Sequence, residues 1–414
     1  MNATQRCPAL VLAASLAAAT FFASAAPPQL TQAGAEAAVT AVLPSLQAIR
    51  GIAFKEKVPV TVIDDAKARS YALARFKRLT PEAKIRADQT AFRLLGLVPN
   101  DLDVLKSLLD VLEEQAGGFY DPGTKSFYLL DDMPLDMTAM LAAHEMTHAL
   151  EDQRYGIDGR IAKVVDDDDA SFALAAVVEG SATYAAAVYV GNEVAAGTLN
   201  AKSIAAMSEA VKTERLDAMP ATLKRQLLGP YVLGVRFLAR GRAEDFQDGF
   251  PKADVDAAWA HPPRSSEQIL HPEKYWNAGR RDEPKRVAIP NPAAQLGKGW
   301  TRAGSGVLGE LTLGSLVGMG APALAELAPN GGAWTNEAAS GWGGDRFELW
   351  TNGDAAVVLL ATVWDSVKDA SEFAAALTPS RADFAFRQEG AKVGIVAGAA
   401  GARRDALLAL LVRP

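Results

Sequence analysis

The chain has 414 residues, of which 49% are hydrophobic and 22% charged, with a formal charge of −7. That balance excludes a disordered or low-complexity chain, and the absence of a basic stripe argues against nucleic acid as a partner. The length allows one large core or two ordinary ones.

The N-terminus reads as a secretory signal. Arg6 is its only charge, an apolar run extends from Ala9 to Phe22, and Ala23-Ser24-Ala25 supplies small residues for cleavage. We expect residues 1–25 to be removed on export to the periplasm or the medium, leaving no membrane span in the mature chain. Cys7 would leave with that segment, so disulfides and thiolate metal ligands are not expected.

Residues 26–115 follow a helical pattern, with amphipathic stretches near Ala66–Phe76 and Leu102–Leu112 and turn punctuation from Gly96 to Asn100. Gly118 to Leu130 contains two short aromatic runs around Asp121-Pro122-Gly123, the pattern of a β-hairpin. A helix follows, with Asp136 as a candidate cap and Gly156 after its last turn. Another small-residue helix is expected from Ala170 to Val190 after the acidic run Asp166–Asp169, and further helices over Ala201–Leu216 and Leu223–Arg240. From His261 the prolines impose an extended or looped course with about one helical turn. Beyond residue 286 we expect strands at Arg346–Thr351, Ala355–Trp364 and Lys392–Ala397, with helices near Ala370–Leu377 and Arg404–Leu411. The fold class expected is therefore α+β and predominantly helical. A metal-binding region over 116–285, bearing a hairpin beside its central helix, should precede a smaller α+β region over 286–414. The seven tryptophans, Trp259 to Trp364, read mainly as core and interlobe packing.

The chemistry is concentrated in Leu141-Ala142-Ala143-His144-Glu145-Met146-Thr147-His148, which holds two of the chain's four histidines. Helical positions four apart lie about 40° from each other around the axis, so both imidazoles leave one face and can grip one ion. Glu145 turns away from the ion but stays within reach of a water on it, making it the candidate general base. Catalytic zinc usually keeps three protein ligands and one open position. Glu179, 31 residues after His148, is the candidate third ligand, since Gly180, Ser181 and Ala182 permit close helix packing and a buried carboxylate calls for a cation. Glu151, Asp152 and the aspartate run offer other acids. Asp152, one turn beyond His148, either supports that imidazole or is a solvated carboxylate near a helix end.

The sequence His144-Glu145-Met146-Thr147-His148 followed by Glu179 resembles the gluzincin branch of zinc metallopeptidases. Over about residues 115–280 the chain is also similar to exported bacterial gluzincin-like proteins of poorly defined activity. The resemblance implies Zn2+ held by His144, His148 and Glu179, a zincin-like lobe, and a water activated by Glu145. It also implies a histidine or tyrosine that stabilises the oxyanion: His271 and Tyr275 are the first candidates, with Tyr231 and His261 behind them. Many gluzincins place an aspartate one turn after the ligand glutamate, where this chain has Thr183. The expected activity is hydrolysis of a peptide or protein substrate. Two alternatives stay open: hydrolysis of a non-peptide amide or cell-wall peptide, and a zinc-bound envelope interaction protein without turnover.

Overall fold

A computed structural model describes residues 30–413 other than 116, 203–213, 242–248, 322–332, 379–381 and 399–400. The expected signal segment and most of the helix expected over 201–216 lie outside the described residues. The fold is α+β, about 53% helical with two sheets.

The principal helices are α1 (Gln32–Arg50), α2 (Asp65–Leu79), α3 (Glu82–Leu95), α4 (Val104–Gln115), α5 (Leu135–Tyr155), α6 (Asp168–Ala196), α7 (Ala221–Leu238), α8 (Lys252–Ala260), α9 (Gly309–Leu316), α10 (Val367–Ala376) and α11 (Arg404–Leu411). Their boundaries follow local chemistry. α1, α3, α5 and α6 each end on a glycine in the left-handed region, the conformation that costs glycine least. The Asp167 carboxylate accepts the Ala170 N–H at 2.9 Å and so caps α6, which begins two residues earlier than expected. The N-cap of α5 falls instead on Pro134, without a side-chain hydrogen bond, and the side chain of Asp136 lies outside the described ones.

The helical region is layered: α1 packs on α5, α5 on α6, and α6 on α7. The last contact is close because both helices present glycine. A Cβ on Gly180 would fall 2.4 Å from the backbone carbon of Gly234, and one on Gly234 would fall 2.1 Å from the carbonyl oxygen of Ala176. The 29-residue α6 has the length and apolarity to cross a membrane, and 83% of its most apolar window is buried inside the protein.

Beside α5 lies a small sheet, β1 (Val60–Ile63), β2 (Gly118–Asp121) and β3 (Ser126–Leu130), in the order β1-β3-β2. The expected hairpin pairs Phe119 with Tyr128 and Tyr120 with Phe127, closed by Asp121 accepting the Gly123 N–H at 3.0 Å. The parallel partner, β1, has four residues from a stretch that otherwise reads as helical, and pairing across more than sixty residues leaves no local signal.

The second sheet holds β4 (Thr301–Gly306), β5 (Trp342–Asn352), β6 (Ala355–Trp364), β7 (Phe384–Glu389) and β8 (Lys392–Gly398) in the order β4-β5-β6-β8-β7, antiparallel throughout. The β5–β6 and β7–β8 hairpins turn through two residues, each with a positive-φ glycine first (Gly353, Gly390), the arrangement of a type II′ turn. Alternation along β6 divides the core: Val358 and Leu360 face the main cluster, while Val357, Leu359 and Ala361 face Leu407, Leu408 and Leu411 of α11. Helix α3, from the N-terminal stretch, packs on β4, β5, β6 and β8, so one hydrophobic cluster runs from α1 through the helices into the sheet. Trp259, Trp334, Trp342 and Trp364 are buried in it.

Candidate metal centre

His144 and His148 leave one face of α5, and the α6 backbone carries Glu179 to meet them. The His144 Nε2 lies 3.2 Å from His148 Nε2 and 3.3 Å from Glu179 Oε2, and His148 Nε2 lies 3.4 Å from the same carboxylate oxygen. A tetrahedral ion with bonds of about 2.0–2.1 Å spaces its ligands by about 3.4 Å, so a triangle with these sides fits the donor set of a zinc site. The imidazoles are nearly enclosed, whereas the Glu179 side chain is 25% exposed, which leaves one side of the triangle approachable.

The electrostatics depend on the same contacts. Burial pushes the Glu179 carboxyl up, but the neighbouring imidazoles of His148 and His144 outweigh it and hold the group well below the usual carboxylate range. Burial lowers His148, and the Glu179 carboxylate reverses that, lifting it to about 9. Two imidazole nitrogens facing one another at 3.2 Å share either a ring proton or a metal ion. A metal ion needs an ionised carboxylate, and the lowered pKa of Glu179 favours that form.

Glu145, next along the helix, is fixed by a strand. Its Oε2 accepts the Tyr120 backbone N–H at 2.8 Å, and its ligating atom lies within 4.8 Å of those of His144 and His148. Burial raises its pKa, against the lowering influence of the two imidazoles. The Tyr120 hydroxyl meanwhile donates to Asp152 at 2.9 Å, so one residue of β2 clasps two acids of α5.

Of the two roles open to Asp152, the structure shows neither. Its other oxygen accepts the Ile157 N–H at 2.8 Å, so the side chain ties β2 to the residues after α5. The Nδ1 atoms of His144 and His148 have no partner among the described residues, and the Thr183 hydroxyl is likewise buried without one. The acid that holds α5 against α6 is Glu151. Fully buried, it accepts from Arg50 Nε at 2.6 Å and from the Ser181 hydroxyl at 2.7 Å. Arg50 also bonds Asp256 at 2.8 Å, so α1, α5 and α8 converge on one guanidinium and α6 joins them through Ser181 and Glu151.

The expected oxyanion donors are engaged elsewhere. His271 faces the fully buried Glu310, with Nε2 3.0 and 3.1 Å from its two oxygens, and the Tyr275 hydroxyl donates to the His261 carbonyl. Neither has a hydrogen bond to the triangle among the described residues: the proline-bearing segment packs on α6, α7 and α9, with the Tyr275 ring against Phe237 of α7, as a structural corner. The side chain beside the triangle is Tyr231 of α7. Its ring stacks on His144 with centroids 6.0 Å apart, and its hydroxyl is within hydrogen-bonding reach of Glu179. Burial, then the Glu179 and Glu145 carboxylates, push its phenol well above the ordinary range, so it stays a donor. In the sequence the one pointer to it was its place between the small residues Gly229 and Gly234 on a helix able to approach α6.

A second group of acids, Glu267, Asp282 and Asp365, also clusters. The Lys274 ammonium lies 2.5, 3.1 and 3.3 Å from them and already supplies their cation.

Residues 295–407 match a family model described as a domain of unknown function (DUF8575). This covers the second sheet and leaves the triangle outside it. Neither the curated proteins nor the solved structures provide a significant match.

Proposed function

We propose that this chain is an exported zinc-dependent peptidase of the gluzincin kind. The observation that carries the reading is the triangle of two Nε2 atoms and one carboxylate oxygen with sides of 3.2–3.4 Å, beside a buried glutamate held by a backbone N–H. His144, His148 and Glu179 would hold a zinc ion, which would supply Lewis acidity toward a carbonyl and toward a water near neutral pH. Glu145 takes the proton of that water. With Oε2 anchored to Tyr120, its other oxygen is free for the transfer, and its raised pKa suits the later return of the proton to the leaving amine. Tyr231, kept protonated, donates to the developing oxyanion.

The border of β2 favours a polypeptide substrate. It is an edge strand tied to α5 through Tyr120, so an extended peptide can align along it next to Glu145. Export rests on the apolar run and small-residue cleavage pattern of residues 1–25.

Two measurements test the proposal together. A metal-edge anomalous map of the purified protein should place one zinc among His144, His148 and Glu179. Digestion of a broad peptide library should then be lost in Glu145→Gln with zinc retained. A protein that binds no divalent ion, or a Glu145→Gln variant that digests as the parent does, overturns it.

A further inference from the structure

A cavity of about 430 Å³ lies between the irregular segment 281–291, the start of β5 and the start of α6. The volume is within the range of small-molecule sites. The segment is held to β5 by the Lys285 N–H, which donates to the Gly343 carbonyl at 2.7 Å. The floor is buried and acidic, with Asp169 and Asp345 beside the Trp342 ring, while the rim carries arginines.

The charges of this cavity divide into satisfied and unsatisfied ones. Arg302 pairs with Glu348 at 2.9 Å, Lys285 with Asp365 at 3.1 Å and Arg264 with Glu283 at 3.7 Å, while Asp167 caps α6 and Asp345 accepts from Leu308 N, Gly309 N and the Trp342 indole. Three groups remain. Arg346 bonds only the neutral Ser305 hydroxyl, at 2.6 Å, and Arg286 on the exposed segment has no carboxylate partner among the described residues. On the floor Asp169 is 2% exposed. Its Oδ1 accepts the Ser266 N–H at 2.9 Å, and its Oδ2 has no partner among the described residues. A buried carboxylate oxygen without a donor is costly unless a ligand provides one. Two arginines without acids, lining one cavity with an acid that keeps one oxygen without a donor, form the complement of a molecule with a carboxylate at one end and an ammonium at the other.

We propose that this cavity binds a small zwitterion, an amino acid or short peptide with free termini, its carboxylate between Arg286 and Arg346 and its ammonium on Asp169. The site is distinct from the metal centre. Ten residues of α6 separate Asp169 from Glu179, about 15 Å along the helix axis. The same rigid helix therefore joins the cavity to the third metal ligand, but the proposal does not depend on catalysis.

Titration calorimetry of the full chain tests it, using Glu145→Gln protein to prevent hydrolysis and four probes: alanylalanine, its C-terminal amide, its N-acetyl derivative and inorganic phosphate. Alanylalanine should bind, and each capped derivative and phosphate should bind about tenfold more weakly or worse. Arg286→Ala, on the exposed segment, and Arg346→Ala should each weaken alanylalanine about tenfold, with thermal unfolding confirming that both variants remain folded. Adding Glu179→Ala should leave this binding in place, which separates it from the metal centre. The proposal is overturned if alanylalanine does not bind at millimolar concentration or if a capped form or phosphate binds equally well. It is also overturned if folded Arg286→Ala binds as the parent does, or if Glu179→Ala abolishes binding.

Discussion

Two carboxylates drawn out of water, half-buried Glu179 in the helical region and buried Asp345 in the C-terminal sheet, solve the same desolvation problem in opposite ways. Asp345 is surrounded by three neutral donors at 2.8–3.0 Å, supplied by a loop and an indole that the fold holds in place. Glu179 has two imidazoles and the Tyr231 hydroxyl, and among the described residues those imidazoles have each other and the glutamate at Nε2 and no partner at Nδ1. The first arrangement is complete without any ion and reads as structural. The second brings three donor atoms within 3.2–3.4 Å of one another, a spacing that suits a cation at its centre. Burial of an acid is therefore no sign of function by itself; what marks a site is burial whose compensation comes from groups that themselves need a partner.

Breaking the contrast at its centre gives the largest effect. Glu145→Gln, isosteric and still able to accept the Tyr120 N–H, should lower peptide hydrolysis by about 10²–10⁴ while zinc content measured by mass spectrometry stays stoichiometric. Undiminished hydrolysis would reduce the triangle to a structural site. Next comes the pairing that presses α5 onto α6. Glu151→Ala strands the buried Arg50 guanidinium and should cost about 3–5 kcal/mol in chemical unfolding. A loss below about 1 kcal/mol would mean that Arg50 finds sufficient compensation in Asp256.

On the sheet side, burial outweighs the three donors and lifts Asp345 to about 6, above its unfolded value of about 3.9. A raised carboxyl binds its proton more tightly when folded, so its contribution is full below about pH 4 and is lost as the pH rises through 6. Stability of the parent relative to Asp345→Asn should fall by about 3 kcal/mol across that interval; a difference that grows with pH contradicts the assignment. The smallest expected effect is at the helix crossing. Gly234→Ala forces α6 and α7 apart and should cost about 1–3 kcal/mol, together with weaker zinc retention in a chelator competition as Glu179 recedes from the histidines. Unchanged retention would show that α6 is positioned by Glu151 and Ser181 alone.

Legibility followed the range of the interaction. The His144–His148 spacing specified a shared helical face before any fold was known, and the small residues after Glu179 announced a close crossing that Gly180 and Gly234 make. The glycine-first turns at Gly353 and Gly390 were equally present in the chain, yet β7 was not anticipated, since Phe384–Glu389 is short and half polar. Tyr231 ranked behind His271 and Tyr275 because a tyrosine in a helix carries no local mark of what it will face. The corner that engages those two with Glu310 and the His261 carbonyl is itself a long-range product. The clasp of Tyr120 on Glu145 and Asp152 joins residues 25 and 32 positions apart, and Arg50 reaches Glu151 over 101.

What the sequence determined alone is what one helical turn, one strand period or one tight turn can dictate: the paired imidazoles, the glutamate beside them, the Gly118–Leu130 hairpin and the glycine that ends α5. Tertiary structure alone decided which acid meets which cation. It placed Glu179 rather than Glu151 at the histidines, gave Glu151 to Arg50, turned Asp152 toward Tyr120, and left Asp169 facing a cavity. The physical reason is that backbone geometry sets neighbours within a turn, whereas the pairing of distant charges depends on helix crossings fixed by packing of the whole core.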